Sequence, residues 1–182
     1  MTASPSISDM IGQSREVLTK PSVATFERFE DSGGLREALI YVGLFALLSG
    51  LFGLGEGITG FLSAVISTLL GFVVFTYLVY WIGKRQGGTG TFDQVAYTFA
   101  LFWGPLAVVL AALTLIMVIT IIGIFFIPLL GIAFLIANVY FAYLAVRSSM
   151  NLTSSNKTWG TLILAAVGAA VFDIIVGAIT SL

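Results

Sequence analysis

The chain has 182 residues, of which 58% are hydrophobic and 9% are charged, and its formal net charge is −1. Soluble domains carry about 25% charged residues, so this composition excludes an ordinary soluble protein and indicates an integral helical membrane protein. Cysteine and histidine are both absent, which excludes disulfides, zinc sites of the Cys/His type and serine–histidine hydrolases.

Residues 1–36 precede the long apolar segments and predict a cytoplasmic region with two short amphipathic helices. The apolar residues of the first helix fit one face, namely Ile7, Met10, Ile11 and Leu18. Pro21 ends that helix, and a second stretch then sets Val23, Phe26 and Phe29 at three-residue spacing. We expect both helices to lie at the membrane surface or over the bundle, where they pack against the inner loops or offer a docking surface to a partner.

Five apolar segments fill residues 37–182. They run from about 37–53, 58–82, 94–120, 125–146 and 159–179. Residues 94–146 contain no charge, and they must hold two spans because a single helix of that length would be roughly 80 Å long at 1.5 Å per residue. The predicted fold class is therefore an all-α membrane protein with five transmembrane helices preceded by short amphipathic amino-terminal helices.

All eight lysine and arginine residues fall on one side of the five predicted spans. In chain order they are Arg15, Lys20, Arg28, Arg36, Lys84, Arg85, Arg147 and Lys157. Cations beside spans favour the cytoplasmic side, so the sequence predicts a cytoplasmic amino terminus and an outside carboxyl terminus in the cytoplasmic (inner) membrane. Tyr80, Trp81 and Trp159 lie close to these cations, as expected of an aromatic belt at the inner interface.

The stretch GKRQGGTGTFDQ, residues 83–94, joins the second and third spans and has the glycines and cations of a phosphate-binding loop. A Walker loop would need glycine where Leu78 stands and a hydroxyl where Arg85 stands. A dinucleotide fingerprint would end in glycine, but Asp93 occupies that position and would repel a pyrophosphate. Both phosphate motifs therefore fail.

The same stretch is better explained as a turn at the inner membrane surface. Lys84 and Arg85 would anchor the second span near anionic headgroups, and Thr91 would cap the third span. Asp93 would lie in the first turn of that helix, where the positive end of the helix dipole favours a carboxylate. The candidate contacts for a cytoplasmic partner or a headgroup are Phe26, Phe29, Lys84, Arg85 and Asp93.

Two stretches carry a family resemblance: KPSVATFERF before the first span and GGTGTFDQVAYTFALFWGP into the third. Together with five spans they resemble the Yip family, membrane proteins named for interaction with Ypt/Rab GTPases. The resemblance implies a five-span membrane protein, with roles in vesicle traffic and Rab-type partners in eukaryotic members. Those members have a long cytosolic amino-terminal region that this sequence does not show, and their Gly-Tyr pair corresponds to Ala96-Tyr97 here. Rab binding is therefore not carried over, and the chain looks like a short prokaryotic member.

Polar residues inside the predicted spans are candidate functional groups because they are costly there. Asp173 lies roughly 21 Å beyond Trp159 at 1.5 Å per residue. It belongs to a stripe of small residues at four-residue spacing: Thr161, Ala165, Ala169, Asp173 and Gly177. We expect this stripe, and Asp173 with it, to face the bundle. Asn138 in the fourth span and Glu56 at the outer end of the first could join it in a polar path, or be an interhelical hydrogen-bond donor and a solvated turn residue.

The sequence predicts a non-catalytic scaffold or adaptor in membrane organisation or trafficking, because no nucleophile–base set can be named from its spacing. The alternative is a small transporter or channel for protons, cations or lipids that uses Asp173. Lipid bilayer contact is expected, with membrane or cytosolic proteins as partners, and no cofactor, metal or nucleic acid. Small residues in the first and fifth spans predict close helix packing, within one subunit or across a homodimer.

Overall fold

The computed structural model describes residues 4–180, apart from the side chains at positions 49, 52, 53, 56, 121, 122, 179 and 180. Within that part of the chain the secondary structure is helical and has no strand, which confirms the all-α fold class. The helices are α1 Ile7–Thr19, α2 Val23–Glu27, α3 Leu35–Gly53, α4 Gly57–Arg85, α5 Phe92–Ile119, α6 Ile127–Ser149 and α7 Ser155–Thr180. Two 3₁₀ helices, Leu54–Glu56 and Ile121–Phe126, form the turns after α3 and α5.

The two amino-terminal helices begin at serine caps. The Ser6 hydroxyl accepts a hydrogen bond from the Asp9 amide, and the Asp9 carboxylate accepts one from the Ser6 amide. Helix α1 therefore begins with a capping box. Ser22 caps α2 directly after Pro21, because its hydroxyl accepts from the Thr25 amide. These local signals account for two helices separated by a break.

The buried side of α1 differs from the predicted apolar face. Met10 is buried as expected, but the other residues buried in this helix are Ser14 and Val17. Ile7 and Ile11 remain exposed. Helix α1 therefore turns its Met10–Val17 side, and not these two isoleucines, toward the bundle.

Four helices are long and apolar enough to cross a membrane. The corresponding segments are Gly57–Arg85, Phe92–Ile119, Gly123–Ser149 and Ser155–Ala178. The first predicted span falls in α3, a 19-residue helix that is not among these four. By length and composition, the described residues therefore contain four candidate spans.

Aromatic pairs and close glycine contacts define how the long helices pack. Gly34, before α3, lies against Asp93 in α5, and eleven residues further along both helices Phe45 lies against Gly104. The constant offset shows that α3 runs parallel to α5. Gly50 of α3 lies against Phe61 of α4, so α3 and α4 form a hairpin with α3 alongside both α4 and α5.

The other helices complete an antiparallel bundle. Phe72 of α4 lies 5.7 Å from Trp103 of α5 between ring centroids, and Phe102 stacks on Phe141 of α6 at the same centroid distance. Gly168 of α7 lies against Leu78 of α4, and α7 packs mainly on that helix. The order around the bundle therefore places α6 beside α5 and α7 beside α4.

The two ends of the bundle differ in chemistry. The amino-terminal segment 4–34, loop 86–91 and loop 150–154 meet at one end, which we call the charged end. The opposite apolar end carries the two 3₁₀ turns, and there the Phe125 side chain is 84% exposed. Buried aromatic residues such as Tyr97 and Phe102 lie toward the charged end, whereas the helices expose leucine, isoleucine and valine toward the apolar end.

Candidate functional site

The amino-terminal segment is anchored to the charged end by Phe26. The Phe26 side chain is fully buried, and its ring meets Phe102 of α5 edge to face with centroids 6.2 Å apart. Phe26 was predicted as a partner contact, but its burial removes it from the surface because α2 turns this ring into the bundle. Phe29 is half-buried, and the Arg28 guanidinium lies 4.8 Å from its ring centroid.

Two hydrogen bonds join α1 to the bundle. The Tyr97 hydroxyl donates to Oε1 of Gln13 at 2.7 Å, and the hydroxyls of Ser14 and Tyr41 lie 2.9 Å apart. Tyr97 and Tyr41 are buried aromatic residues of α5 and α3. A buried hydroxyl left without a partner would be costly, so each tyrosine favours the docked position of α1.

Glu30 is a buried carboxylate that joins the segment to α6. The Ser148 hydroxyl donates to its Oε2 at 2.5 Å, and the residue is 8% exposed. Burial raises the pKa of the Glu30 carboxyl, the Ser148 hydrogen bond opposes this, and the nearby Asp31 and Glu27 carboxylates add to the rise. The protonation of Glu30 is therefore linked to the attachment of the amino-terminal segment.

Glu30 lies three residues beyond the end of α2, in a stretch of charged residues with Glu27, Arg28 and Asp31. In the structure its amide donates to the carbonyl of Phe26 at 2.9 Å, so the chain continues with helical spacing beyond the end of α2. The four-residue separation from Phe26 sets Glu30 on the same side as that buried ring. The four-residue spacing from Phe26 to Glu30 could have identified Glu30 as buried. The three-residue series of Val23, Phe26 and Phe29 indicated a different face.

Asp93 connects the starts of two helices. Its Oδ1 accepts from the amide of Leu35 at 2.9 Å, so a residue in the first turn of α5 satisfies an amide at the start of α3. Beside it, the Gln94 side chain donates to Asp31 at 2.8 Å. Asp93 was predicted as a partner or headgroup contact, and its position shows a capping interaction with α3.

The glycines of loop 86–91 are required by close backbone packing. A Cβ on Gly90 would lie 1.6 Å from the Ser149 carbonyl oxygen, and Gly87 has a φ of +91°. The Thr89 amide donates to the carbonyl of Met150 at 3.1 Å, which ties this loop to loop 150–154. These contacts give the glycines a structural explanation beyond chain reversal.

The predicted cap of α5 is present, and the two neighbouring cations stay exposed. Thr91 accepts from the Gln94 amide at 3.2 Å, and the Gln94 side chain accepts from the Thr91 amide in a capping box. Lys84 lies 3.4 Å from the Thr89 carbonyl oxygen, and the Arg85 guanidinium stacks 3.8 Å from the centroid of the Trp81 ring. Both cations remain available at the surface of the charged end.

A polar cleft of about 630 Å³ lies between α1 and the segment after α2. Its lining residues are Pro5, Ser8, Asp9, Gly12, Gln13, Glu16, Arg28, Phe29, Asp31 and Ser32. Arg28 forms an ion pair with Glu16 across the cleft wall, and the Phe29 ring adds apolar surface. Three carboxylates against one guanidinium give the cleft an acidic lining.

A second space, which we call the central cavity, lies between α4, α5, α6 and α7, is partly open to the surface of the bundle and has a volume of about 230 Å³. Four helices line it through Gly71, Phe72, Phe75, Phe99, Phe102, Trp103, Asn138, Val139, Ala142, Leu162 and Ala166. The Asn138 Nδ2 donates to the Phe134 carbonyl of its own helix at 2.9 Å, so this hydrogen bond is not interhelical. Asn138 and the indole N–H of Trp103 are the polar side-chain groups among these lining residues.

The predicted polar path is not assembled around Asp173. Asp173 is exposed on α7, whereas Thr161 and Ala165 of the same stripe are buried, so the stripe leaves the bundle toward the apolar end. The expectation that Asp173 faces the bundle was therefore wrong for this chain. Asn138 lines the central cavity, which Asp173 does not, and the side chain of Glu56 lies outside the described residues.

Comparison with known families settles the relationship that the sequence stretches indicated. The profile of the Yip1 domain matches residues 15–175, which is most of the chain. The chain belongs to the Yip1 family. No curated protein and no solved structure gave a significant match to it. The Yip1 match begins inside α1, so the region matched includes most of the docked segment together with the bundle.

Proposed function

We propose that this Yip1-family protein is a non-catalytic adaptor in the cytoplasmic membrane, and that it presents the cleft at its charged end to a cytoplasmic protein. The observation that carries this proposal is the docked amino-terminal segment. Phe26, Glu30 and Gln13 fix the segment to three different sites on the bundle, which leaves the cleft preorganised on its outer side. Preorganisation favours binding because the partner need not order the segment.

The acidic lining of the cleft indicates the chemistry of the partner. Asp9, Glu16 and Asp31 contribute carboxylates, and Phe29 contributes an aromatic ring. A basic peptide segment with one apolar side chain would match both features through opposite charge and ring contact. Such a segment is the partner that this adaptor would recognise.

The orientation is part of the proposal and rests on five crossings of the membrane. Helix α3 runs parallel to α5 from Gly34 to Phe45 and packs on both α4 and α5, which supports a fifth crossing of the same layer. Its 19 residues give a helix roughly 28 Å long at 1.5 Å per residue, close to the hydrocarbon thickness. Five crossings leave every lysine and arginine at the charged end, which is then cytoplasmic, and set the carboxyl terminus outside.

The arrangement of polar groups favours an adaptor over a transporter. Asp173 is exposed and stands apart from Asn138, so the described residues do not form a chain of ionisable groups through the bundle. A proton or cation pathway would need such a chain or a water-filled cavity at mid-depth. The central cavity instead has an aromatic and aliphatic lining.

The adaptor proposal can be tested by closing the cleft without disturbing the bundle. Gly12 lines the cleft, and a Cβ added there would meet no atom within 4 Å, so Gly12→Trp would fill the cleft without a backbone clash. Ala24 is exposed on α2 outside the cleft, and Ala24→Trp is the matched control. Crosslinking in the native membrane, followed by purification and mass spectrometry, would identify bound proteins for each variant.

The proposal expects a protein partner that copurifies with the wild type and the Ala24→Trp control but is lost from Gly12→Trp. Recovery of the same partner with Gly12→Trp would show that it binds elsewhere. Recovery of the wild-type protein alone, or only with further copies of itself, would contradict an adaptor role.

A further inference from the structure

The central cavity is produced by small residues on three helices. Gly71 of α4, Ala142 of α6 and Ala166 of α7 line it opposite aromatic rings of α4 and α5. A Cβ added at Gly71 would meet no atom within 4 Å, so a larger residue there would extend into the space. Protein interiors are normally close-packed, and a cavity of this size lowers stability unless an occupant supplies the missing contacts.

The lining of the cavity selects an apolar occupant. A buried water needs two to four polar partners, and the lining side chains offer at most the Asn138 amide and the indole N–H of Trp103. The Nδ2 of that amide already donates to the Phe134 carbonyl. Water would therefore be poorly held, whereas hydrocarbon would contact the rings of Phe72, Phe99 and Trp103.

The position of the cavity identifies where such an occupant comes from. Asn138 lies nine residues before Arg147, which is roughly 13 Å along α6 at 1.5 Å per residue. The hydrocarbon core of a bilayer is about 30 Å thick, so the cavity lies near its middle. Ala166 lines the cavity and is also exposed on α7, so the space reaches the lipid-facing surface there.

We propose that this cavity is a binding site for one hydrocarbon chain of a membrane lipid. Its volume of about 230 Å³ exceeds the ~150 Å³ apolar cavity that suffices for benzene. The chain enters past Ala166 and packs against the aromatic wall, while its headgroup stays at the membrane surface. This site is separate from the cleft of the adaptor proposal and does not depend on it.

Trp103 provides a reporter inside the cavity wall. Trp81 and Trp159 are the other two tryptophans, and replacing both with phenylalanine leaves Trp103 as the single indole. Dibrominated stearate added to this protein in detergent quenches Trp103 by contact if its chain occupies the cavity. Binding to a site saturates and is reversed by unbrominated stearate, whereas partitioning into the detergent gives quenching that rises linearly.

Two glycine variants separate the cavity from the general lipid-facing surface. Gly71→Leu fills the cavity and is expected to weaken the affinity for dibrominated stearate, measured by Trp103 quenching, by at least about tenfold. Gly131→Leu on the exposed face of α6, where a Cβ also meets no atom within 4 Å, is expected to leave it unchanged. Ala166→Leu narrows the same cavity from α7 and gives a second reading if Gly71→Leu lowers the yield of folded protein.

Three results would overturn the proposal. The first is linear quenching without saturation, and the second is equal affinity in Gly71→Leu, Ala166→Leu and the wild type. The third is a requirement for the carboxylate of the fatty acid. Because the proposed site binds the hydrocarbon chain, methyl stearate should displace the brominated probe as well as stearate does. Displacement by stearate but not by its methyl ester would assign recognition to the carboxylate instead.

Discussion

Phe26 in α2 and Phe102 in α5 meet edge to face with ring centroids 6.2 Å apart, and Phe102 also lines the central cavity. One aromatic side chain thus contacts both the amino-terminal segment and the space inside the bundle. Phe102 in turn stacks on Phe141 and lies 5.3 Å from Phe99, so its position is fixed by further packing on both sides. The contact that attaches the amino-terminal segment is therefore part of the core of this protein.

Phe26→Ala should release the amino-terminal segment from the bundle. The substitution removes a fully buried ring, and losses of this kind cost about 3–5 kcal/mol. Hydrogen exchange of the backbone amides in α1 and α2 is expected to become much faster, while exchange in α4 and α5 changes little. Phe125→Ala is the control, because its ring is 84% exposed at the apolar end. Unchanged protection of α1 in Phe26→Ala would show that other contacts hold the segment.

The stability of the docked segment should depend on the protonation of Glu30. Its pKa in the folded protein is raised above the ordinary value of 4.5, chiefly by burial. A raised pKa means that the contribution of this group is fully present below that ordinary value and is lost as the pH rises through the folded pKa. Glu30→Gln stays neutral and can still accept from Ser148, so it should not lose this contribution.

Thermal unfolding measured over a pH series tests the Glu30 prediction. The wild-type melting temperature is expected to fall relative to Glu30→Gln as the pH rises from below 4.5 toward neutrality. Glu27→Gln, at an exposed position of the same segment, controls for the loss of one carboxylate. Parallel curves for wild type and Glu30→Gln would contradict a link between this carboxyl and stability.

Gly90→Ala should destabilise the charged end through a backbone clash. The added Cβ would lie 1.6 Å from the Ser149 carbonyl oxygen, and overpacking of this kind costs about 1–3 kcal/mol or more. The measurement is the midpoint of thermal unfolding in detergent. Gly131→Ala is the matched control, since it adds a methyl group to open space and gains up to ~1 kcal/mol of helix propensity. If both variants unfold at the same temperature, loops 86–91 and 150–154 do not pack as described.

The helices were predictable because their signals are local. The long apolar runs, and the placement of all lysines and arginines on one side, predicted five helical segments. The ends of the observed helices differ from the predicted ends by at most four residues. Thr91 was recognised as a cap from its own neighbours, and the capping box with Gln94 confirms it. Hydropathy and capping act within a few residues, so one sequence is sufficient to recognise them.

Contacts between distant segments could not be predicted in the same way. Three-residue spacing showed that Phe26 belongs to an apolar face, but not that Phe102 covers it. Gly90 is explained by its contact with Ser149 and Gly88 by its contact with Met150, both of which lie far along the chain. The small-residue stripe of α7 was expected to face the bundle along its whole length. It is buried at its start but exposed at Asp173, because the bundle packs less closely toward its apolar end.

Asp173→Asn should leave the fold and the partner of the cleft unaffected. The residue is exposed and lies outside the central cavity, so the change replaces a carboxyl group with an amide without opening the core. Copurification of the partner is expected to match the wild type, and Gly12→Trp serves as the disrupted comparison. Proton flux into liposomes that falls specifically in Asp173→Asn would instead support a transporter.

The topology can be measured with single cysteines, because the natural chain has none. Gly55 lies in the turn between α3 and α4, and a side chain there would meet no atom within 4 Å, so Gly55→Cys should be tolerated. Thr153 is exposed on loop 150–154, so Thr153→Cys places a thiol at the surface of the charged end. With five crossings, a membrane-impermeant maleimide added to intact cells should label Gly55→Cys at once and Thr153→Cys only after lysis.

Each alternative topology gives a different labelling pattern. If α3 lay on the membrane surface without crossing, α4, α5 and α6 would still separate Gly55 from Thr153, but the amino-terminal segment would share a side with Gly55. A thiol introduced by Ala24→Cys, at an exposed position of α2, would then label together with Gly55→Cys, whereas with five crossings it labels together with Thr153→Cys. If the whole protein were inverted, Thr153→Cys would label in intact cells and Gly55→Cys would not. Only the pattern with Gly55 outside and Thr153 inside places the acidic cleft in the cytoplasm, where an adaptor needs it, because the cleft and loop 150–154 lie at the same end of the bundle.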